Sequence, residues 1–518
     1  MRPSSTDQTA IIVRVPDEPV PDQDAGLPVW TPSPDDVPAE PEPLSNPRLT
    51  VLAWLIPVLV TGAVGSWKLA TPGLSEDELA TWGMVSIDWS HFTSVLRNVD
   101  ATLAPYYILL RGWVALVGNT DLLLRIPSVI FAAGAAGFVA GIGIKLGGRR
   151  VGLAGGLIFA LIPALSRYAQ DARPYALTMF AAAMATFVLV RALSRPRMAT
   201  YLTYSLVIVL LGLANVVALV LLLAHGLAVW QVRRSWRAFL AWLGASLAGL
   251  LPMAPVLYLG KQQSGTQINW IPPLTWSRLG ETPAQLFGGA IVAGAVMALA
   301  LAAISLRGEM RVLTLWAVAP AAGLAAASFL TPLWVPRYLL FVLPAWALLA
   351  SAALRKLTVL RGLAAVIGIG ALTVPAQFAI RDVGGHDYAS RDISLVIKAN
   401  DLPGDAVLFG PFANGDQRTS RDAFDRYLAP SERPQDKLMV QPPRTNGSLG
   451  AQECPDVEIP SCFGKPDRVW VVRKGKLTNV LDGIGPAKEE LLRQNFVQSE
   501  MWPLKGFTVA LYTRKPAA

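Results

Sequence analysis

Three consecutive carboxylates, Glu76, Asp77 and Glu78, follow Ser75 just after the first long apolar run of the chain. Like charges set side by side repel, and the repulsion is relieved when a cation or a reacting group takes them up. Two chemistries suit such a cluster: a carboxylate that removes a proton from a hydroxyl, or a set of oxygens that holds Mg2+ or Mn2+. A local alternative needs neither, since Ser75 followed by Glu78 also makes a helix-opening capping box. Downstream, Asp100 precedes Pro105-Tyr106-Tyr107, and the segment Arg167-Tyr168-Ala169-Gln170-Asp171-Ala172-Arg173-Pro174-Tyr175 mixes both charges with phenols. Pro336-Arg337-Tyr338 opens a later apolar run. Gathered at one membrane face, these groups would suit a substrate with a phosphate at the interface and an apolar tail in the bilayer. Taken singly, an arginine such as Arg337 snorkels to headgroups and a tyrosine is a belt residue, so the argument rests on their meeting.

Other chemistries find few residues. The chain has three histidines, His91, His225 and His386, and lacks His-Glu-x-x-His, which weighs against a histidine-rich metal centre. It also lacks Gly-x-x-x-x-Gly-Lys-Ser/Thr. Gly141, Gly143 and Gly147 close an apolar run instead of following a strand, which fits tight helix packing better than a phosphate loop.

Composition dictates which elements must carry these residues. Of 518 residues, 53% are hydrophobic and 16% charged, against about 25% charged in soluble domains. A soluble chain is excluded. Apolar runs over about 50–70, 123–146, 151–167, 175–195, 201–214, 216–232, 237–259, 285–306, 312–331, 337–354 and 358–379 predict eleven spanning helices in an all-α polytopic membrane region. The stretch 103–117 is shorter and carries Arg111 in its middle, so it is expected to lie in the interface, within a first outer loop over 71–122.

The net charge of +9 divides unevenly, with residues 1–47 at −7 and the remainder at +16. Eleven prolines and no apolar period mark the acidic tail, taken as 1–49, as a disordered cytoplasmic segment. With eleven spans, the inside turns hold Arg149 and Arg150, then Arg191, Arg195 and Arg197, then Arg233, Arg234 and Arg237, then Arg307 and Arg311, then Arg355, Lys356 and Arg361. The positive charge is thus mostly the positive-inside bias, and a nucleic-acid partner loses its support. Residues 380–518 recover soluble character, with strands predicted at 406–410, 468–472 and 507–512 and a helix at 487–495. The topology puts this α/β domain outside. Cys454 and Cys462, with seven residues between them and no further ligand cluster nearby, fit a disulfide there better than a metal site.

The ordered set Asp77-Glu78, Asp100-Ala101-Thr102-Leu103-Ala104-Pro105-Tyr106-Tyr107, Leu124-Arg125-Ile126-Pro127-Ser128, Gln170-Asp171-Ala172-Arg173-Pro174-Tyr175 and Pro336-Arg337-Tyr338 carries a resemblance over roughly 50–380. It resembles the bacterial branch of the GT-C membrane glycosyltransferases, close to actinobacterial mannosyltransferase-like proteins, protein O-mannosyltransferases and the aminoarabinose transferases of lipid A. The resemblance implies a sugar on polyprenyl phosphate, with mannose the leading expectation. It implies inverting transfer to a hydroxyl of an envelope glycan, lipid or protein at the outer side of the plasma membrane. Asp77 is then the expected base with Glu78 its nearest competitor, Asp100 holds the acceptor or tunes the base, and Arg173 and Arg337 meet the leaving phosphate. Tyr106, Tyr107, Gln170, Asp171 and Tyr175 are expected to line the substrate path. Relatives often carry a histidine in the stretch where this chain has Thr102-Leu103-Ala104, a departure that bears on whether a histidine contacts the acceptor. Some members use a divalent cation near the acidic pair and others none, leaving the metal open. Two rival readings are a lipid-linked precursor transporter or flippase and a non-catalytic cell-wall assembly partner. The clustering of ionisable residues at one face argues against the first. Retention of the acids and both arginines argues against the second.

Overall fold

The computed structural model describes residues 46–516. The expected tail lies almost wholly outside them. Its last residues are ordered: the Asn46 side chain accepts the Arg48 N–H and caps helix α1 (Pro47–Ser66), with Pro47 at the first helical position. Helices α2 (Glu76–Ser86), α3 (Trp89–Asn98) and α4 (Ala104–Val117) follow, then α5 (Asp121–Gly147), α6 (Arg149–Leu161), α7 (Pro163–Ala169) and α8 (Tyr175–Ser194). At 14 residues, α4 is too short to span. Its Arg111 donates to the Met84, Val85 and Ile87 carbonyls and lies over the Trp89 ring.

Among the described residues, eight helices are long and apolar enough to cross a membrane, or up to ten if two bent pairs each count as one span. The expected spans differ from this set in three places. Helices α6 and α7 meet at a 66° bend, where Ile162 is extended and Pro163 restarts the helix. Helices Trp276–Phe287 and Ala290–Leu301 meet at 91°, around Gly288 with φ +77°. Met198–Ala214 is a shorter apolar helix of 17 residues. The two breaks pack together: a Cβ on Gly288 would stand 2.7 Å from the Ala164 backbone nitrogen.

Lipid offers little hydrophobic gain to helix pairing, so the bundle relies on close packing. A Cβ on Gly143 would fall 2.6 Å from the Gly152 Cα, which brings α5 and α6 into backbone contact as the small-residue run implied. Neighbouring basic turns are tied to one another: Arg149 donates to the Asn46 carbonyl, Arg233 to Leu193 and Arg311 to Gln231. His225 is buried in the bundle between Tyr204 and Thr186, both ring nitrogens partnered.

Beyond the last apolar helix, Val359–Ile380, lies a five-stranded sheet in the order β2-β1-β5-β7-β6. Strands β1 (Ala406–Phe409), β2 (Gln435–Asp436) and β5 (Arg468–Lys474) run parallel, while β7 (Phe507–Arg514) is antiparallel to β5 and to β6 (Phe496–Leu504). Strands β3 (Met439–Gln441) and β4 (Gln452–Glu453) form a separate pair. The predicted strands and helix appear at β1, β5, β7 and Pro486–Asn495, and Cys454 is bonded to Cys462. The remaining elements, among them β2, β3, β4, β6 and the helices Asp392–Asn400 and Asp416–Tyr427, escaped the pattern reading. Strand β6 is mostly exposed, and the helix Asp416–Tyr427 is almost wholly polar although most of it is buried. That helix packs between the sheet and α2. Asp121, at the start of α5, accepts from Arg391, Arg426 and Tyr427 and joins the same region to the bundle.

Candidate active site

Helix α2 opens with the capping box the sequence implied: Ser75 Oγ accepts the Glu78 N–H, and Glu78 Oε2 accepts the Ser75 N–H at 3.0 Å. Successive residues of a helix are turned by about 100°, so three adjacent acids cannot face one point. Here they face three different partners. Glu78 points into the bundle, where Arg125 of α5 grips it through Nε at 2.7 Å and Nη2 at 2.8 Å. Arg125 also donates to the carbonyls of Leu69, Pro72 and Gly73, and the Ala172 N–H donates to Glu78 at 3.0 Å. His386 Nδ1 closes the node, 3.2 Å from Arg125 Nη2. Burial pushes Glu78 up, but Arg125 and His386 outweigh it and hold the carboxyl well below its usual range. Burial, with Arg167 and Arg125 nearby, keeps His386 well below the usual histidine range and therefore neutral.

Glu78 therefore fails as an alternative base. It is fully enclosed, and its oxygens are committed to Arg125, Ser75 and Ala172. Glu76 turns the other way and is taken by Tyr388, Arg418, Thr419 and Lys474. The three acids offer no cation a shared set of ligands, and no group of three or more His, Cys, Asp or Glu side chains converges among the described residues.

Asp77 is the acid left facing open space. Its side chain is 36% exposed, with Arg173 Nη2 at 4.0 Å and Arg337 Nη2 at 3.7 Å. These are loose contacts, beyond hydrogen-bond distance. Burial pushes Asp77 up, yet Arg173, Arg337, Arg418 and Arg167 together hold it below its ordinary value. Arg173 sits in the turn between α7 and α8 and also reaches Thr81 and the Tyr107 hydroxyl. Arg337 is the second residue of the 3-10 turn Pro336–Val342, with its guanidinium over the Trp270 ring at 5.2 Å. The Nε of both arginines is buried without a protein partner. Two guanidiniums with spare donors beside one carboxylate make a cradle for an anion that competes with that carboxylate.

The remaining expected site residues divide. Asp100 adopts left-handed backbone, φ 61°, and accepts the Tyr107 hydroxyl at 2.9 Å, so it reaches Arg173 through Tyr107 and not directly. Tyr106 is buried on α4 beside it. Tyr175 stacks edge-on with Tyr168 at 4.9 Å. Asp171 is buried against Arg167 at 3.7 Å, and burial pushes its carboxyl up to about 7. Gln170 is a correction: it is fully buried, and its Nε2 donates to the Gly65 and Trp67 carbonyls, which fixes the end of α1 instead of lining a path. Arg125, His386, Arg418 and Lys474 were not assigned roles from the sequence. The one available signal was an arginine, Arg125, inside an apolar run, since such a charge demands a partner. Two cavities lie elsewhere, one of about 290 Å³ lined by Leu109, Trp113, Leu116, Pro127, Ile130 and Phe131, the other of about 500 Å³ around Asp121, Arg391 and Arg426.

No family model and no curated protein sequence matches the chain. The structure is similar to ArnT from Cupriavidus metallidurans bound to undecaprenyl phosphate, with TM-score 0.59 and 13% identity over 89% of this chain and 98% of that one. The apo form of the same protein gives TM-score 0.59 and 13% identity over 88% and 97%. At that identity the likeness establishes a shared fold, a bundle of apolar helices followed by a C-terminal α/β region.

Proposed function

We propose that the chain is an integral membrane glycosyltransferase that moves a sugar from a polyprenyl phosphate to an acceptor hydroxyl, with inversion. The observation that carries this reading is Asp77, the one acid of its triplet left open, within 4.0 Å of two arginines that have donors to spare. The shared fold with a protein that binds undecaprenyl phosphate supports a lipid-linked donor. The arginine bias of the turns supports transfer at the outer face of the membrane, and mannose is the first sugar to assay.

In this mechanism the acceptor oxygen attacks the anomeric carbon as the carbon–oxygen bond to phosphate breaks. The bonding pair leaves with the phosphate, whose charge rises from about −1 to nearly −2. Arg173 and Arg337 hold that growing charge, which is where fixed donors lower the barrier most. Asp77 takes the acceptor proton. A carboxylate beside two guanidiniums is a weak base, and the donor phosphate corrects this by sharing the arginines. Base strength is thereby coupled to donor occupancy. Asp100 and Tyr107 steady Arg173 through its Nη1, while Nη2 faces Asp77.

The test uses purified full-length protein and radiolabelled polyprenyl-phosphate mannose, with glucose and arabinose donors alongside. Asp77→Asn is expected to abolish transfer to acceptor hydroxyls. Undiminished transfer would remove Asp77 as the base, and substrate flux across proteoliposomes without any product would replace the enzyme reading with a transporter.

A further inference from the structure

Glu76 is neither the base nor a ligand of the bundle, yet it is the most fully bound of the three acids after Glu78. Its Oε1 accepts from Arg418 Nη2 and Thr419 Oγ1, both at 3.1 Å. Its Oε2 accepts from the Tyr388 hydroxyl at 2.9 Å and faces Lys474 Nζ at 2.7 Å. All four donors belong to the region beyond the last apolar helix. Gly415, at φ +69°, stands so close that a Cβ there would lie 2.9 Å from Glu76 Oε1. Both the backbone conformation and the space call for glycine.

This carboxylate of α2 meets the sheet at the carboxyl ends of two parallel strands. Strand β1 leads through the helix Asp416–Tyr427 to β2 on one side, while β5 lies on its other side. The crevice at the carboxyl ends of two such parallel strands is where open α/β sheets hold ligands, with the helix N-terminus favouring an anion. Here Lys474 ends β5, Arg418 and Thr419 lie in the first turn of the helix, and Asp416 pins the two together through Arg473 Nε at 2.7 Å and the Lys474 N–H at 2.6 Å. The occupant is a carboxylate of the chain itself. A second grip lies two turns along α2: Arg444, held by Asp422 at 2.9 and 2.6 Å, rests on Gly83, where a Cβ would lie 2.1 Å from its guanidinium carbon. Seven residues of helix bring Glu76 and Gly83 to within about 20° of the same face.

We propose that the C-terminal α/β region is a positioning device for the reaction, which binds Glu76 and Gly83 and so fixes the rotation of α2 that turns Asp77 toward Arg173 and Arg337. The inference rests on Asp77 acting as the base. At a helix radius of about 5–6 Å including side chains, a 20° rotation carries a side-chain oxygen about 2 Å. Misplacement by 1 Å is enough to cost about 100-fold in rate. Glu76, Thr419 and Lys474 are positioning residues, since none touches the site around Asp77, whereas Arg418 both holds Glu76 and adds its charge to that site.

The experiment compares Glu76→Gln, Lys474→Met and Lys474→Arg in full-length protein in nanodiscs, with radiolabelled polyprenyl-phosphate mannose as donor. Glu76→Gln is expected to lower kcat about 100-fold with the donor KM changed less than about threefold. Lys474→Met removes one of the donors and should cost about tenfold, and Lys474→Arg should recover most of it. Hydrogen exchange over 76–86 should quicken in Glu76→Gln while β1 and β5 keep their protection. A kcat within about twofold of the parent, in a protein that Asp77→Asn silences, overturns the inference. So does a rise in KM with kcat untouched, which would make Glu76 a binding residue. If Asp77→Asn itself keeps full turnover, the base assignment fails separately, and unchanged exchange over 76–86 then overturns the clamp on its own.

Discussion

Two carboxylates one residue apart on α2 have opposite surroundings. Glu78 meets one arginine through two bonds of 2.7 and 2.8 Å and has no exposed surface. Asp77 meets two arginines at 3.7 and 4.0 Å and stays about a third exposed. The first is a closed structural pair, in which every donor and acceptor is spoken for. The second is an unfinished one, in which charge is concentrated and hydrogen bonds are left over. Acid type and spacing alone do not tell these apart; what separates a structural ion pair from a reactive one is whether the geometry is complete without a ligand.

The comparison breaks most sharply if the two acids are removed in turn. Asp77→Asn should lower kcat by about 10²–10⁴-fold with the thermal midpoint unchanged, measured by single-turnover transfer alongside thermal unfolding. Glu78→Ala should do the reverse in kind, costing about 3–5 kcal/mol of stability because it strands Arg125 in a buried site, and denaturation in detergent would read it. Activity lost from either variant in the wrong column would merge the two pairs. Next in size, Arg337→Lys keeps the charge but loses the planar fork, and a drop of about tenfold in kcat/KM is expected from donor titrations.

The smallest effects concern protons. Glu78 has a depressed folded pKa, so its contribution is complete above its unfolded value of about 4.3 and is lost only as pH falls through the lower folded value. Thermal midpoints should therefore be insensitive to Glu78 protonation near neutrality. Asp77 must be ionised to act, and its arginines hold it low in the free protein. The acid limb of kcat/KM should lie below that of kcat, because the bound donor phosphate draws the same arginines away. Coincident limbs would show that the phosphate does not share them.

Much of this was legible in the sequence, and what was missed has a common cause. The capping box at Ser75 and Glu78, the Cys454–Cys462 bond and strands β1, β5 and β7 follow from local chemistry and period-two patterning, and each is present. The meeting of Asp77 with Arg173 and Arg337 was also foreseen, because charges that defy the inside bias stand out in an apolar chain. The division of labour among the three acids was not. It is set by the rotation of α2, which depends on Arg125, His386 and Lys474, residues that no local pattern links to position 78 or 76. The helix Asp416–Tyr427 escaped for a related reason: its polar side chains are buried against partners distant in sequence, Glu76, Asp121, Asp436, Arg444, Glu453 and Arg473, which removes the apolar stripe that marks a packed helix. The bend at Pro163 was hidden because hydropathy registers α6 and α7 as one apolar run, and the bend at Gly288 because the apolar run there starts at about 285, past most of the polar helix Trp276–Phe287.

The Arg125 node also constrains how the protein is made. The guanidinium enters with an apolar helix early in synthesis, while His386, which completes its surroundings, lies 261 positions further along the chain. Until the later segments are translated, the early carbonyls of Leu69, Pro72 and Gly73 and the Glu78 carboxylate must shelter that charge. Helix α2 is thus drafted by its neighbours during insertion and given its final setting only when the distal region arrives, so a chain interrupted before His386 would carry every expected donor and acceptor of the site around Asp77 and still lack the contact that holds them in register.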